Sequence, residues 1–80
     1  MTKDDVIKVI RENILDNLED IEESELDNDR PMKEFGANSL DIIEVVSTSM
    51  RELKIKIPRA ELADISTINE LADKFMAHLG

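Results

Sequence analysis

The sequence predicts an all-α fold: a four-helix bundle of three longer helices and one short one, with a long loop after the first helix. Three observations predict it. Apolar residues recur at three- and four-residue steps in three separate stretches, helix-start signatures stand ahead of each of them, and Gly36 and Pro58 punctuate the intervals.

The first helix is expected over about residues 3 to 18. Thr2 and Asp5 approximate a capping box, with Asp where Glu or Gln is usual. Val6, Ile7, Ile10, Ile14, Leu15 and Leu18 then form an apolar stripe, which leaves Lys3, Lys8, Arg11, Glu12 and Asp16 for solvent. From Glu19 to Asn38 the apolar residues thin to Ile21, Leu26, Met32 and Phe35, while Asn28, Asp29, Pro31 and Gly36 supply turn chemistry. A connection of about twenty residues without structure of its own is uncommon unless it has a task or is pinned. Ile21, Leu26 and Phe35 are the expected pins.

The second helix is expected to start at Ser39, placed as its N-cap after the helix-breaking Gly36. Leu40, Ile43, Val46, Met50 and Leu53 are its expected buried stripe, and Asp41 and Glu44 place negative charge at its dipole-positive end. Pro58 bars helix at the residue before it, so Lys54 to Pro58 reads as an extended connector. Arg59 to Asp64 has room for one or two helical turns. Thr67 and Glu70 then form a capping box for the last helix, lined by Ile68, Leu71, Ala72, Phe75, Met76 and Leu79 and ending at Gly80.

A chain of 80 residues buries only roughly 60% of the surface its unfolded form exposes, so a deep enzyme cleft is not expected. Without cysteine there is no disulfide framework or thiolate metal site, and the chain suits a reducing compartment, with cytoplasm the expected location. The start, MTKDDVIKVI, lacks a basic region followed by a long apolar stretch, so neither a signal peptide nor a membrane span is expected. The net charge of -9 is concentrated in the first half: Asp16 to Asp29 holds eight acids and no base. Such a field repels nucleic acid and anionic membrane and would steer in a basic partner, although a solvated acidic loop is an equal reading of the same run. Phe35 and Phe75 are the only aromatic residues, too few for base stacking.

Self-contained chemistry finds no support. A calcium loop starting at Asp27 fails, because its sixth position is Met32 in place of Gly and its twelfth is Asn38 in place of Glu. A nucleophile elbow at Ser39 fails as well, since Ala37 and Asp41 stand where glycines are needed. The one histidine, His78, lies at the other end of the chain, and a serine hydroxyl without a base is a poor nucleophile. Two readings of Ser39 remain: a helix cap and nothing more, or a serine that is acted upon, whose phosphate ester would meet a favourable field at a helix N-terminus.

The stretch "FGANSLDIIEVV" resembles the attachment motif of acyl carrier proteins, in which Gly, a variable residue, Asp, Ser, Leu and a further Asp open the second helix. The tail "IKIPRAELADISTINELADKF" is similar to the later half of the same family, and the likeness extends over essentially all 80 residues, read as one carrier domain. The resemblance implies that Ser39 receives 4'-phosphopantetheine from coenzyme A through a separate, magnesium-dependent phosphopantetheinyl transferase. The thiol of that arm would carry acyl groups as thioesters between enzymes such as acyltransferases and ketosynthases. It also implies that partners dock through basic patches on the second helix, here at Leu40, Asp41 and Glu44, with the protein monomeric and not itself an enzyme.

Two departures set this chain apart from the family pattern. Asn38 replaces the usual Asp before the serine, and Met50 and Arg51 occupy positions commonly acidic in fatty-acid carriers. Motifs of the "GANS" type followed by "IKIP" resemble discrete carriers of polyketide synthase clusters, including those that supply a malonyl-derived acetyl donor for β-branching. A fatty-acid synthase carrier is the nearest alternative, followed by a D-alanyl or peptidyl carrier. From a different class, the alternative is a non-covalent acidic helical module that binds a basic protein. The aliphatic core is compatible with a short acyl chain slipping between helices, but small bundles are aliphatic anyway, and that ordinary explanation is the preferred one.

Overall fold

The computed structural model describes residues 1–79. Helix α1 spans Lys3–Asn17, α2 Ser39–Leu53, α3 Arg59–Leu62 and α4 Ile68–Leu79, and among the described residues there is no strand. The expected end of the last helix, Gly80, lies outside them. Helix α1 packs against both α2 and α4. At the centre of these contacts Val6, Ile10, Ile68, Leu71, Ala72 and Phe75 have no exposed surface. Phe75 is the largest of them, and truncating such a side chain to Ala costs about 3–5 kcal/mol in transfer and cavity terms.

Both expected capping boxes form. The Asp5 amide donates to Thr2 Oγ1 and the Thr2 amide to Asp5 Oδ2 (3.3 and 2.9 Å), which holds the Asp5 carboxyl below its ordinary range. At α4 the Glu70 amide donates to Thr67 Oγ1 and the Thr67 amide to Glu70 Oε1, both at 3.1 Å. Ser66 donates to the same carboxylate from its hydroxyl and its amide, and these bonds together hold Glu70 below its ordinary range.

The segment between α1 and α2 is better ordered than its composition suggests. It contains two short 3-10 turns, Glu23–Glu25 and Met32–Phe35, and its deepest anchors are Met32 and Leu26. Ile21 and Phe35 are only half-buried, so Met32 takes the pinning role expected of them. Arg11, expected on the solvent side of α1, is instead half-buried and braces this segment. Its guanidinium donates to Asn28 Oδ1 at 2.8 Å, to the Glu23 carbonyl at 3.2 Å and to the Leu26 carbonyl at 3.4 Å. On the other side, the Met32 amide donates to the Ser66 carbonyl (2.7 Å) and the Asn69 amide to the Asn28 carbonyl (3.0 Å). A single antiparallel bridge pairs Pro31 with Thr67. A long connection is tolerated here because its backbone groups and apolar side chains find fixed partners on α1 and at the start of α4.

The buried face of α2 differs from the expected one. Val45, Val46, Ser49 and Leu53 point inward with Ile42 and Met50 beside them, whereas Leu40 and Ile43 are 73% and 41% exposed. One polar contact crosses the core: Asn13 Nδ2 of α1 donates to Ser49 Oγ of α2 at 2.9 Å, with both side chains buried. Lys54 ends α2 in the left-handed region, at φ 57°, and its amide reaches back to the Arg51 and Met50 carbonyls.

Candidate functional site

The chain reaches Ser39 through a short, well-fixed approach. Met32, the first residue of the second 3-10 turn, and Ala37, just past it, are buried, and Gly36 closes that turn at φ 92°, a conformation that favours glycine. The Gly36 amide donates to the Lys33 carbonyl at 3.1 Å. Asn38 follows in an extended conformation and is the true N-cap of α2: its Oδ1 accepts from the Asp41 amide at 2.9 Å, and Asp41 Oδ2 accepts from the Asn38 amide at 3.1 Å. The expectation that Ser39 is the cap is thus corrected by one residue. Asn38 has an acid three residues on to complete the reciprocal pair, while Ser39 has Ile42 in that place.

This shift changes what Ser39 is free to do. As the first helical residue it is exposed, with its hydroxyl released from the capping role. The amides of Ser39 and Leu40 belong to the first turn, which has no intrahelical acceptors, so the dipole-positive end of α2 lies directly beside the hydroxyl.

All four singled-out residues fall in the first two turns of α2, but they play different parts there. Leu40 and Glu44 stand exposed; Asp41 is half-buried and already commits one carboxylate oxygen to the cap. Ile43, expected inside, joins Leu40 in an exposed apolar pair next to the serine. Among the described residues no base hydrogen-bonds to the Ser39 side chain: His78 lies in the last turn of α4 with its Nε2 3.4 Å from Glu61 Oε1 of α3. Among the described residues no cluster of His, Cys, Asp or Glu is placed to hold a metal ion.

Ser39 also borders a cleft of about 450 Å³. Ile42, Val46 and Met50 of α2 form one wall, and Ile57 of the connector and Leu62 of α3 form the other. The sequence pattern did not reveal this cleft, because residues far apart in the chain, from Lys33 through α2 and α3 to Leu71 of α4, line it together. A wider concavity of about 1150 Å³ lies over the acidic segment, bordered by Arg11, Asp27, Asp29 and Asn69, and does not include Ser39. Among the described residues no helix is long and apolar enough to cross a membrane.

Comparison with known proteins agrees with this geometry. The family described as "Phosphopantetheine attachment site" matches residues 8–75. The polyketide biosynthesis acyl-carrier-protein AcpK of Bacillus subtilis (strain 168) is 32% identical over 73 residues, which cover 91% of this chain and 89% of that protein. An acyl carrier protein of Lactobacillus acidophilus (strain ATCC 700396 / NCK56 / N2 / NCFM) is 26% identical over 80 residues, all of both chains. Among solved structures, a chain in the crystal structure of the curacin biosynthetic pathway HMG synthase in complex with acetyl donor-ACP superposes with a TM-score of 0.86. That chain is 35% identical, and the match covers 96% of this chain and 99% of that one. A helical bundle with an exposed, base-free serine opening its second helix, matched along most of its length, places the chain in the phosphopantetheine-attachment family as an acyl carrier protein of polyketide biosynthesis, a carrier and not a catalyst.

Proposed function

We propose that Ser39 is the residue that bears 4'-phosphopantetheine, and that the protein delivers an acetyl donor to an HMG-synthase-type enzyme during β-branching. The observation that carries the first part is the division of labour at the start of α2. Asn38 caps the helix and leaves an exposed serine hydroxyl at the positive end of the dipole. A phosphodiester fits there: the first-turn amides favour an anion, and the Asp41 carboxylate, held against the Asn38 amide, is kept from turning freely toward it.

When bound, the group supplies a thiol on a flexible arm, which holds acyl groups as thioesters. The chain's own residues present the attachment point and select who reaches it. With no base beside Ser39, activation of its hydroxyl falls to a magnesium-dependent phosphopantetheinyl transferase. Leu40 offers that enzyme and later ones an apolar contact, and Glu44 and the outer oxygen of Asp41 offer charge to a basic docking patch. The β-branching role is supported by the likeness to the acetyl donor-ACP complex. The protein works in this reading as a single-domain, cytoplasmic monomer.

Mass spectrometry tests the attachment. Incubation with coenzyme A, magnesium and a promiscuous phosphopantetheinyl transferase should add phosphopantetheine to the wild type and nothing to Ser39→Ala. Equal modification of both, or of neither, overturns the assignment. In the same series Glu44→Lys should keep its fold and lose turnover with an HMG-synthase-type partner, because an exposed helix position contributes little to stability; unchanged kinetics would remove Glu44 from the docking surface.

A further inference from the structure

The nine residues from the last turn of α2 to the start of α3, "RELKIKIPR", hold four of the ten bases of this acidic chain and a single acid, Glu52. Arg51, Lys54, Lys56 and Arg59 are all exposed, and among the described residues none of them enters an ion pair. Lys8 and Lys33 are exposed and outside the ion pairs too, but each has acids close along the chain. Asp4 and Glu12 stand one turn to either side of Lys8 on α1, and Glu34 follows Lys33. The helix dipole accounts for Arg51 and Lys54, which close α2, but not for Lys56 and Arg59, since its influence is confined to the last turn. The backbone that carries these cations is held in place: Leu53 and Ile57 are buried, Ile55 is half-buried, and the Ile55 amide donates to the Met50 carbonyl at 3.0 Å.

Helical periodicity sets Arg51 on the face proposed for docking. It follows Glu44 by seven residues, two turns of α2, so both stand on one side of the helix, about 10 Å apart along its axis. Leu40 shares that side one turn before Glu44, while Glu52 lies about 100° round the helix from Arg51. The exposed stripe next to Ser39 therefore runs from apolar through negative to positive, and the segment after it stays positive. A gap of about 10 Å exceeds the screening length of about 8 Å at physiological ionic strength, so a partner meets two separate charges. We infer that residues 51–59 form a second docking surface, for an acidic patch on the HMG-synthase-type partner, and that with Glu44 it fixes the direction in which α2 lies across that enzyme. The inference rests on the proposed delivery to such an enzyme. A reversed α2 would set Arg51 against the basic patch and Glu44 against the acidic one, and such like-charge contacts exclude it. A long polyanion such as nucleic acid does not fit, because acids elsewhere in the chain repel it, whereas a patch the size of this segment meets only the local charge.

The test measures turnover of the acetyl-loaded protein by an HMG-synthase-type enzyme, with loading at the serine verified by mass. Arg51→Glu and Lys56→Glu should each raise KM about three-fold with kcat unchanged, as befits exposed charges at an interface rim. Lys8→Glu, which alters the net charge equally but on α1, should keep the wild-type KM, and so should Arg51→Lys, which retains the charge. The increases should fade at high salt. A water-soluble carbodiimide, which joins an amine directly to a carboxylate, should link Lys54 or Lys56 to an Asp or Glu of the enzyme, located by peptide mass spectrometry. An equal rise in Lys8→Glu, an unchanged KM in both Arg51→Glu and Lys56→Glu, or cross-links confined to other lysines overturns the inference. Absence of turnover with the loaded wild type refutes the HMG-synthase reading, and the inference with it, before any variant is measured. Because the replaced side chains are exposed, the variants should remain folded by circular dichroism, which excludes a folding defect as the source of any change.

Discussion

Asn38 and Ser39 are adjacent, both are good capping residues, and only one of them caps α2, so their alanine variants should behave oppositely. In Asn38→Ala the Asp41 amide loses the 2.9 Å bond from the cap, while the return bond from the backbone amide of residue 38 to Asp41 can persist. Losing one such cap costs about 1 kcal/mol, within a range of roughly 0.5–2. For a domain of this size that lowers the melting temperature by about 4–8 °C. Ser39→Ala removes no capping bond and places a better helix former at the first helical position, so its stability should stay within about 0.5 kcal/mol of the wild type. Asn38→Asp keeps an acceptor for the Asp41 amide. It gains charge at the helix start but sets that charge near the Asp41 carboxylate, and these effects of similar size leave it close to the wild type. The chain has no Trp or Tyr, so far-ultraviolet circular dichroism during thermal and urea unfolding is the suitable assay. A loss in Ser39→Ala with none in Asn38→Ala would refute the division of labour at this helix start.

Two further perturbations follow from polar contacts. Ser49→Ala leaves Asn13 Nδ2 buried without its acceptor, which should cost about 1–3 kcal/mol, and Asn13→Leu/Ser49→Ala should recover much of that loss in a urea-unfolding double-mutant cycle. At α4, the Glu70 carboxyl is held below its ordinary range by Ser66 and Thr67, so its contribution is present above the unfolded value of 4.5 and is lost as pH falls through the lower folded value. Glu70→Gln should therefore melt below the wild type at pH 7, and the gap should close on acidification below 4.5, measured as melting temperature against pH.

What the sequence disclosed depended on how local the deciding interaction was. The boxes at Thr2 and Thr67 were legible because donor and acceptor lie three residues apart. The same spacing rule, applied to Asn38 and Asp41, would have put the cap of α2 in its true place; two good capping residues in succession hid it. The inward face of α2 was harder. Leu40 and Ile43 fit a three-residue step as well as Ile42 and Val45 do, and the choice between these faces is made by where α1 packs. Arg11 looked like any surface base on an amphipathic helix, since its acceptors at Glu23, Leu26 and Asn28 come from a segment whose path is set by tertiary contacts. Ser39, Leu40, Asp41 and Glu44 were found together because they follow one another along a single helix. The cleft beside them was not, because its lining comes from four separate stretches of chain.

The brace between α1, the long segment and α4 bears on how such a chain can vary in length. Asn28 is gripped from both sides, by Arg11 and by the Asn69 amide, and Met32 is tied to Ser66. Residues 33–38 set the distance from the last of these ties to Ser39, so an insertion there would displace the serine against the Met32 anchor. Between Leu18 and Glu22, where the side chains are half-buried or exposed, extra residues could loop outward and leave the serine where it is. The acidic segment thus has one elastic end and one rigid end, and the rigid end is the one that leads to the modified helix.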